Sequence, residues 1–378
     1  MFHFYSTSVH LKSLPKIYSY YIYPSFKAFI KRKTFFYKEE SYFQEECKVR
    51  GRKSPRRIWW EQFLNFIKHG SIDFFYFLYG FDVKNFRKRS DYVFESTFYR
   101  RREYIRDINP NAYQDMAILR NKLLFSLFCS AYKIPSPRVY GTIQNGYLIE
   151  LLTDSKTEIA DFIVQNRING FAKAIDGQCG EGVYSIEVTN NGVLVNEKPV
   201  GKDDLNGIFK KGCFILQERI TNQHPHISQL HPHSINTIRL VTIKTKENNY
   251  VIIPPLLRVG TGHSNVDNWA TGGLAIGIDT ASNTLHEYGF RKPKYGGKVA
   301  EHPDTGIKFL GHPVPFMQEA INMAIETHKK LPNLVSIGWD IAITEDGPVF
   351  IEGNDNWEIT LMEACSHGLN KEFKKYFY

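Results

Sequence analysis

The chain has 378 residues, 42% of them hydrophobic, and a formal net charge of +9. That length exceeds what one core usually serves, so two or three domains are expected. No apolar run is long enough for a membrane-spanning helix. The Met1–Tyr5 start lacks a secretory pattern, and five cysteines with no C-x-x-C pair point away from disulfides and zinc and toward a reducing cytoplasm.

The charge is unevenly placed. Residues 1–110 carry 22 Lys and Arg against 11 Asp and Glu, a net of +11, and the rest of the chain is close to neutral. Residues 1–57 interleave Tyr and Phe with basic clusters at Lys31-Arg32-Lys33 and at Arg50 to Arg57. Two readings stand: peripheral contact with an anionic membrane, or a solvated helical face. No recognition motif accompanies the charge, so nucleic acid is not expected. From Ile58, the residues Trp59, Trp60, Phe63, Phe66 and Ile67 recur at helical spacing and predict a core-facing helix ended by Gly70. Phe74 to Gly80 reads as a second apolar turn closed by glycine.

Residues 111–134 read as one further helix through Met116, Leu119, Leu123, Leu124 and Leu127, closing before Ile134-Pro135-Ser136-Pro137. Lys122 lies on it and, by itself, is a surface lysine. From residue 138 the pattern changes to short strands. Gly170 to Ile175 is a strand, Asp176 to Gly182 a loop with Gly177, Gly180 and Gly182, and Val183 to Val188 another strand. Such a loop lets backbone N–H groups approach phosphate oxygens closely, and Lys173 just before it can add an ammonium. A plain glycine-rich turn is the bland alternative. A dinucleotide fingerprint needs a helix after the glycines, and a P-loop needs Gly-Lys-Ser/Thr; neither is present.

Residues 203–211 read as helical, and Cys213 to Ile220 as a strand ending in a polar hinge, Gln217-Glu218-Arg219-Ile220. His224 and His226 lack a third partner at metal-ligand spacing and read as loop residues. Asn236 to Lys244 and Tyr250 to Val259 are strands around a Lys246-Glu247-Asn248-Asn249 turn. Arg239 and Arg258 interrupt their apolar alternation. With the turn centred between Glu247 and Asn248, both arginines share a face and need a counter-charge, whether a bound anion or a cross-sheet salt bridge. Val266 to Gly273 is a polar loop, Leu274 to Ile278 a strand, and 315–330 a helix. The tail 357–378 reads as helical.

Ser336 to Asn354 predicts a hairpin closed by a three-residue loop, Glu345-Asp346-Gly347, with Gly347 at positive φ. In that register Ile343 faces Val349 and Ile341 faces Ile351. On the opposite face Asp340 lies across from Glu352, with Asn354 two residues on. Cross-strand side chains approach to about 5 Å, so two carboxylates and an amide oxygen converge. Such an oxygen cluster suits a hard divalent cation such as Mg²⁺. The bland reading is a solvated hairpin face, and a one-residue slip would separate the two acids.

In this order the lysine strand, glycine loop, Gln-Glu hinge, paired arginines and late Asp-Glu-Asn hairpin resemble the ATP-grasp superfamily. The chain most resembles its sugar-transfer-associated family, over roughly residues 110–365. The resemblance rests on Phe171-Ala172-Lys173 with the loop glycines, Gln217 to Ile220, Ser234 to Arg239, Leu257 to Gly260, Val266-Asp267-Asn268 with Gly272-Gly273, Gly338-Trp339-Asp340, and Ile351 to Asn354. Ala174 departs from the proline that many relatives carry there. The resemblance implies an α+β fold of two lobes gripping ATP, preceded by a mostly helical, basic N-terminal region. The expected divisions are 1–57, 58–110, 111–220 and 221–378. It implies nucleotide contacts from Lys122, Lys173, Gly177, Gly180, Gly182, Gln217, Glu218 and Ile220. It gives Mg²⁺ to Asp340, Glu352 and Asn354, and catalytic roles to Arg239 and Arg258. The implied reaction joins a carboxylate to an amine through an acyl phosphate, in cell-surface or capsular polysaccharide assembly. A kinase of a sugar or alcohol, and a non-catalytic nucleotide-binding protein, are the alternatives.

Overall fold

Two antiparallel sheets carry the chain from residue 139 to residue 354. They are seen in a computed structural model that describes residues 19, 22–31, 41–177, 182–366 and 368–378. Most of the 1–57 segment, including Arg32 and Lys33, lies outside those residues, as does Gly180 of the glycine loop.

The first sheet holds β1 (Val139–Gln144), β2 (Tyr147–Glu150), β3 (Lys156–Glu158), β4 (Asn169–Ala174), β5 (Val183–Thr189), β6 (Gly192–Val195), β7 (Lys198–Val200) and β8 (Cys213–Glu218), in the order β3-β2-β1-β8-β4-β5-β6-β7. Its apolar face, with Ile143, Leu148, Ala172, Ile186 and Leu216, packs on the helices Ile159–Gln165 and Lys202–Ile208. Successive strand residues alternate faces, so Phe171 and Lys173 lie opposite that core.

The second sheet holds β9 (Thr237–Lys244), β10 (Tyr250–Val259), β11 (Leu274–Asp279), β12 (Thr284–Phe290), β13 (Lys298–Val299), β14 (Ser336–Thr344) and β15 (Gly347–Asn354), in the order β13-β12-β11-β10-β9-β14-β15. One face, with Ile238, Leu240, Ile337, Trp339 and Ile341, packs on the helices Ala112–Arg120, Lys122–Ala131 and Met317–His328. On the other face Val241, Ile243, Ile253 and Leu256 pack beneath an aromatic module that includes Phe75, Tyr76, Tyr79, Phe98 and Trp357. That module covers only part of the face. Arg239, two residues before Val241, and Arg258, two residues after Leu256, lie beyond it. The architecture is the expected one: two α+β lobes built on antiparallel sheets, with a largely helical N-terminal region.

Three expectations need correction. The Pro55–His69 helix forms, with Ser54 accepting from Arg57 N at its start and Gly70 in the left-handed region at its end. Its inward face, however, is Ile58 and Gln62, while Trp59, Trp60, Leu64 and Ile67 are exposed. Apolar residues line most of this helix, so spacing could not choose the face. Gln62 chooses it, donating to Asp73 O at 2.9 Å and accepting from Asp73 N at 2.8 Å. The single helix over 111–134 is two, broken at Asn121, whose side chain accepts from the N–H groups of Leu123 and Leu124. The tail is likewise two helices, Ile359–Cys365 and Asn370–Phe377, with Gly368 at positive φ between them.

Phe98 joins the N-terminal part of this module to the C-terminal segment that follows the second sheet. Its ring, fully buried, lies 4.8 Å from Trp357 and 5.9 Å from Phe373. Phe98→Ala should cost about 3–5 kcal/mol, visible as a lowered urea midpoint. An unchanged midpoint would show that the module does not support the sheet.

Candidate active site

The site begins with a register. Asp340 pairs with Glu352 and Gly338 with Asn354, but toward the turn Ile341 pairs with Phe350 and Thr344 with Gly347. The hairpin is therefore closed by the two residues Glu345 and Asp346, not three, with Gly347 at φ +126°. Ile351 is the extra residue of a bulge in β15, and it restores the offset that a shorter turn would lose. The acids are opposite each other as expected, while Phe350 rather than Ile351 fills the core across from Ile341.

A second bulge does the same for the arginines. Next to its turn β10 pairs Ile253 with Val241, and further on Leu256 with Arg239. Pro254 and Pro255 fall between, where their missing N–H groups break the ladder. Beyond the bulge Arg258 pairs with Thr237, a diagonal neighbour of Arg239 on one face. The turn itself is centred on Glu247, one half-step from the expected centre, and the bulge makes up the difference.

The counter-charge between the two arginines is Asp340, the salt-bridge alternative weighed from sequence. Its carboxylate is 1% exposed. Arg239 donates Nε to Oδ1 at 2.6 Å and Nη2 to Oδ2 at 3.1 Å, and Arg258 Nη2 lies 3.0 Å from Oδ2. Burial alone would raise Asp340, but Arg239 and Arg258 outweigh it and hold the carboxyl below its ordinary value. Arg258 also reaches Asp267 Oδ1 at 3.3 Å and donates to Thr237 Oγ1. Burial would lower Arg258, yet Asp267, Asp340 and Glu352 raise it further, so it stays charged.

Glu352 sits differently. Burial and then the neighbouring Asp340 raise its carboxyl, and Asn354 Nδ2 donates to its Oε1 at 3.1 Å. Two acids this close, one with its counter-charge incomplete, would be relieved by a cation. Oxygen donors from Asp340, Glu352 and Asn354 suit Mg²⁺, which binds through one or two carboxylates and keeps further positions for water and phosphate. Among the described residues no group of three His, Cys, Asp or Glu that could hold a metal occurs, so a cation here would need the Asn354 amide oxygen or water as a further ligand.

Opposite stands Lys173 on β4. Its ammonium donates to Gln217 Oε1 at 2.7 Å. Burial pushes it down to about 8, Glu352 acts in the opposite direction, and Lys122 lowers it further. The sheets thus present a lysine and a glutamate within electrostatic reach. Lys122 is the first residue of its helix rather than a mid-helix surface residue. Its N–H donates to Ile175 O at 3.1 Å and its ammonium to Gly177 O. Gly182 closes the loop at φ +67°, where a Cβ would meet Ala174 Cβ at 2.7 Å, so no other residue fits without movement. Glu218 turns its carboxylate to Arg138 N at 2.7 Å, which fixes the hinge. Ile220 follows, half-buried.

Sequence reasoning assigned no role to Asp267 or Thr237. Asp267 Oδ2 accepts from Thr237 N at 3.0 Å and from its hydroxyl, which locks the 266–273 loop against Arg258. The signal available was a lone acid in a polar loop beside a strand that carries an arginine. Asn236, fully buried, steadies the end of β10 by accepting from Gly260 N at 3.2 Å.

The pattern of the sugar-transfer associated ATP-grasp family matches residues 99–376. This chain belongs to that family. No curated protein sequence matches it. Among solved structures it is similar to D-alanyl-alanine synthetase A of Vibrio cholerae, at 12% identity over 68% of this chain and 63% of that one, with a TM-score of 0.37. It is similar to biotin carboxylase of Campylobacter jejuni, at 12% over 69% and 46%, with a TM-score of 0.38. N5-carboxyaminoimidazole synthase of Aspergillus clavatus gives 12% over 68% and 53%, with a TM-score of 0.37. The chain spans less than two thirds of the length of each.

A lysine lowered by burial loses its proton as pH rises through about 8. Its attraction for phosphate is present below that pH and lost above it. ATP affinity should therefore fall above about pH 8 by up to tenfold per pH unit, and Lys173→Gln should flatten that dependence in calorimetric titrations. The same slope in the variant would remove Lys173 from the phosphate site.

Proposed function

We propose that this protein is an ATP-dependent ligase that activates a carboxylate as an acyl phosphate and transfers the acyl group to an amine. The supporting observation is the opposition of charge across the two sheets. Asp340, Glu352 and Asn354 gather on one, with Lys173 and Lys122 at the glycine loop of the other. Family membership adds sugar-linked substrates of cell-surface or capsular polysaccharide assembly to the proposal, and the cytoplasm, where ATP is supplied, as its place.

Lys173 and Lys122 would hold the nucleotide phosphates, helped by the N–H groups of the glycine loop. Gln217, Glu218 and Ile220 would line the base and ribose pocket. Mg²⁺ would be held by Asp340, Glu352 and Asn354, where it neutralises phosphate charge. A substrate carboxylate oxygen attacks the γ-phosphorus, the bond to the bridging oxygen breaks, and ADP leaves. The amine then attacks the acyl carbon, phosphate departs, and the nitrogen gives up a proton. Arg239 and Arg258 fix Asp340, and their Nη1 groups, with no hydrogen bond among the described residues, can face the transferring phosphoryl group. The site acts by position and preset charge.

Glu352→Gln should preserve the fold and lower ADP formation at least about a hundredfold; near-normal turnover would sink the assignment of Glu352. Hydroxylamine added during turnover with a panel of sugar acids should yield a hydroxamate from the activated carboxylate. A stable phosphorylated product formed without any amine would replace the ligase with a kinase.

A further inference from the structure

The Pro55–His69 helix turns an apolar stripe to solvent that the nucleotide site does not use. Trp60, Leu64 and Ile67 stand at i, i+4 and i+7, hence on one helical face. They are 53%, 49% and 48% exposed. Arg56, Arg57 and Lys68 flank the stripe and are exposed too. The helix has one acid, Glu61, and it is neutralised from both sides, by Lys53 at 2.7 Å and Arg57 at 3.0 Å. The opposite face is fixed inward by Gln62 and Ile58, so the stripe cannot rotate into the core.

A second helix, Tyr23–Lys31, also turns an apolar residue and a cation to solvent. Ser25 Oγ accepts from Ile72 N at 3.1 Å, docking it just past the C-terminal end of the first. It leaves Phe26 54% exposed, with Lys27 exposed beside it. Among the described residues no helix is long and apolar enough to cross a membrane.

We infer that this face is a docking surface for an anionic lipid bilayer. Tryptophan with aliphatic neighbours suits the interfacial zone, where its ring is apolar and its N–H stays wet. Arginine and lysine beside it reach anionic headgroups. Charge selects lipid over a protein partner: the stripe lies in the 110 residues that hold a net +11, and among the described residues the unpaired charges flanking it, Arg56 and Lys68, are positive. The contact places the chain in the membrane plane without inserting a span.

The test uses the full chain and vesicles of phosphatidylcholine alone or mixed equally with phosphatidylglycerol. The chain should co-sediment with the mixed vesicles only, with a blue shift of tryptophan emission, and added salt should weaken binding. Trp60→Ala with Leu64→Ser and Ile67→Ser should abolish the shift and lower binding at least tenfold. Arg56→Gln with Lys68→Gln should lower it about fivefold per charge. ATP-dependent ADP release in solution should be unchanged in both variants, so failure here is separate from failure of the ligase reading. Equal binding to neutral vesicles, or wild-type binding by both variants, would overturn the inference. So would a dimer that the triple variant converts to a monomer in sedimentation equilibrium with no vesicle binding, which would make the face a contact between copies.

Discussion

A carboxylate removed from water between two guanidinium groups sets the terms for the rest of this protein. Taking such ions out of water costs several kcal/mol each, and the cost is offset only when geometry and hydrogen bonding are close to complete. Asp340 achieves this because β14, β9 and β10 are neighbours in register, with Arg239 directly opposite it on β9. Arg258 adds a third strand, and Asp267 with Thr237 supplies the remaining acceptors. Each strand is therefore fixed not only by backbone pairing but by a charge that would be stranded if it slipped. The two bulges, at Ile351 and at Pro254-Pro255, are the local irregularities that bring these side chains to one place.

The same sheet face serves two purposes. Where its residues are Val241, Ile243 and Leu256 it is dry and covered by the aromatic module. Where they are Arg239, Arg258, Asp340 and Glu352 it faces the first sheet. The boundary falls within two residues along a strand. Apolar packing on one side thus gives the charged end a rigid floor. The helix Lys122–Ala131 ties the parts together: Lys122 reaches the glycine loop, while Phe125 meets Phe350 on the hairpin with ring centroids 6.5 Å apart. One helix therefore touches both the loop and the hairpin.

Charge also divides the molecule at larger scale. Excess positive charge is confined to the N-terminal third, which contributes aromatic core to the second sheet from one side and shows basic and aromatic residues to solvent on the other. Surface placement of lysine and arginine needs no partner, but tryptophan and isoleucine on the same outward stripe do not gain from water. That combination is the basis of the membrane-docking proposal.

Much was determined by the sequence alone. Alternation at Asp340 and Glu352, the glycines at 177 and 182, and the Gln-Glu hinge are local patterns, and short-range geometry suffices to place them on strands and loops. The strands β4, β5, β8, β9, β10 and β14 were legible for that reason. Tertiary structure decided what local pattern leaves degenerate. Spacing could not say which side of the Pro55–His69 helix faces inward, because apolar residues nearly encircle it; Gln62 finding Asp73 settled that. Nor could it locate the bulges, since pairing depends on the partner strand. The identity of the anion between the arginines was likewise undecidable from β9 and β10 alone. Asp340 is about a hundred residues away in sequence from Arg239 and becomes a neighbour of both arginines only because β14 lies beside β9, where its buried carboxylate can sit between the two guanidinium groups.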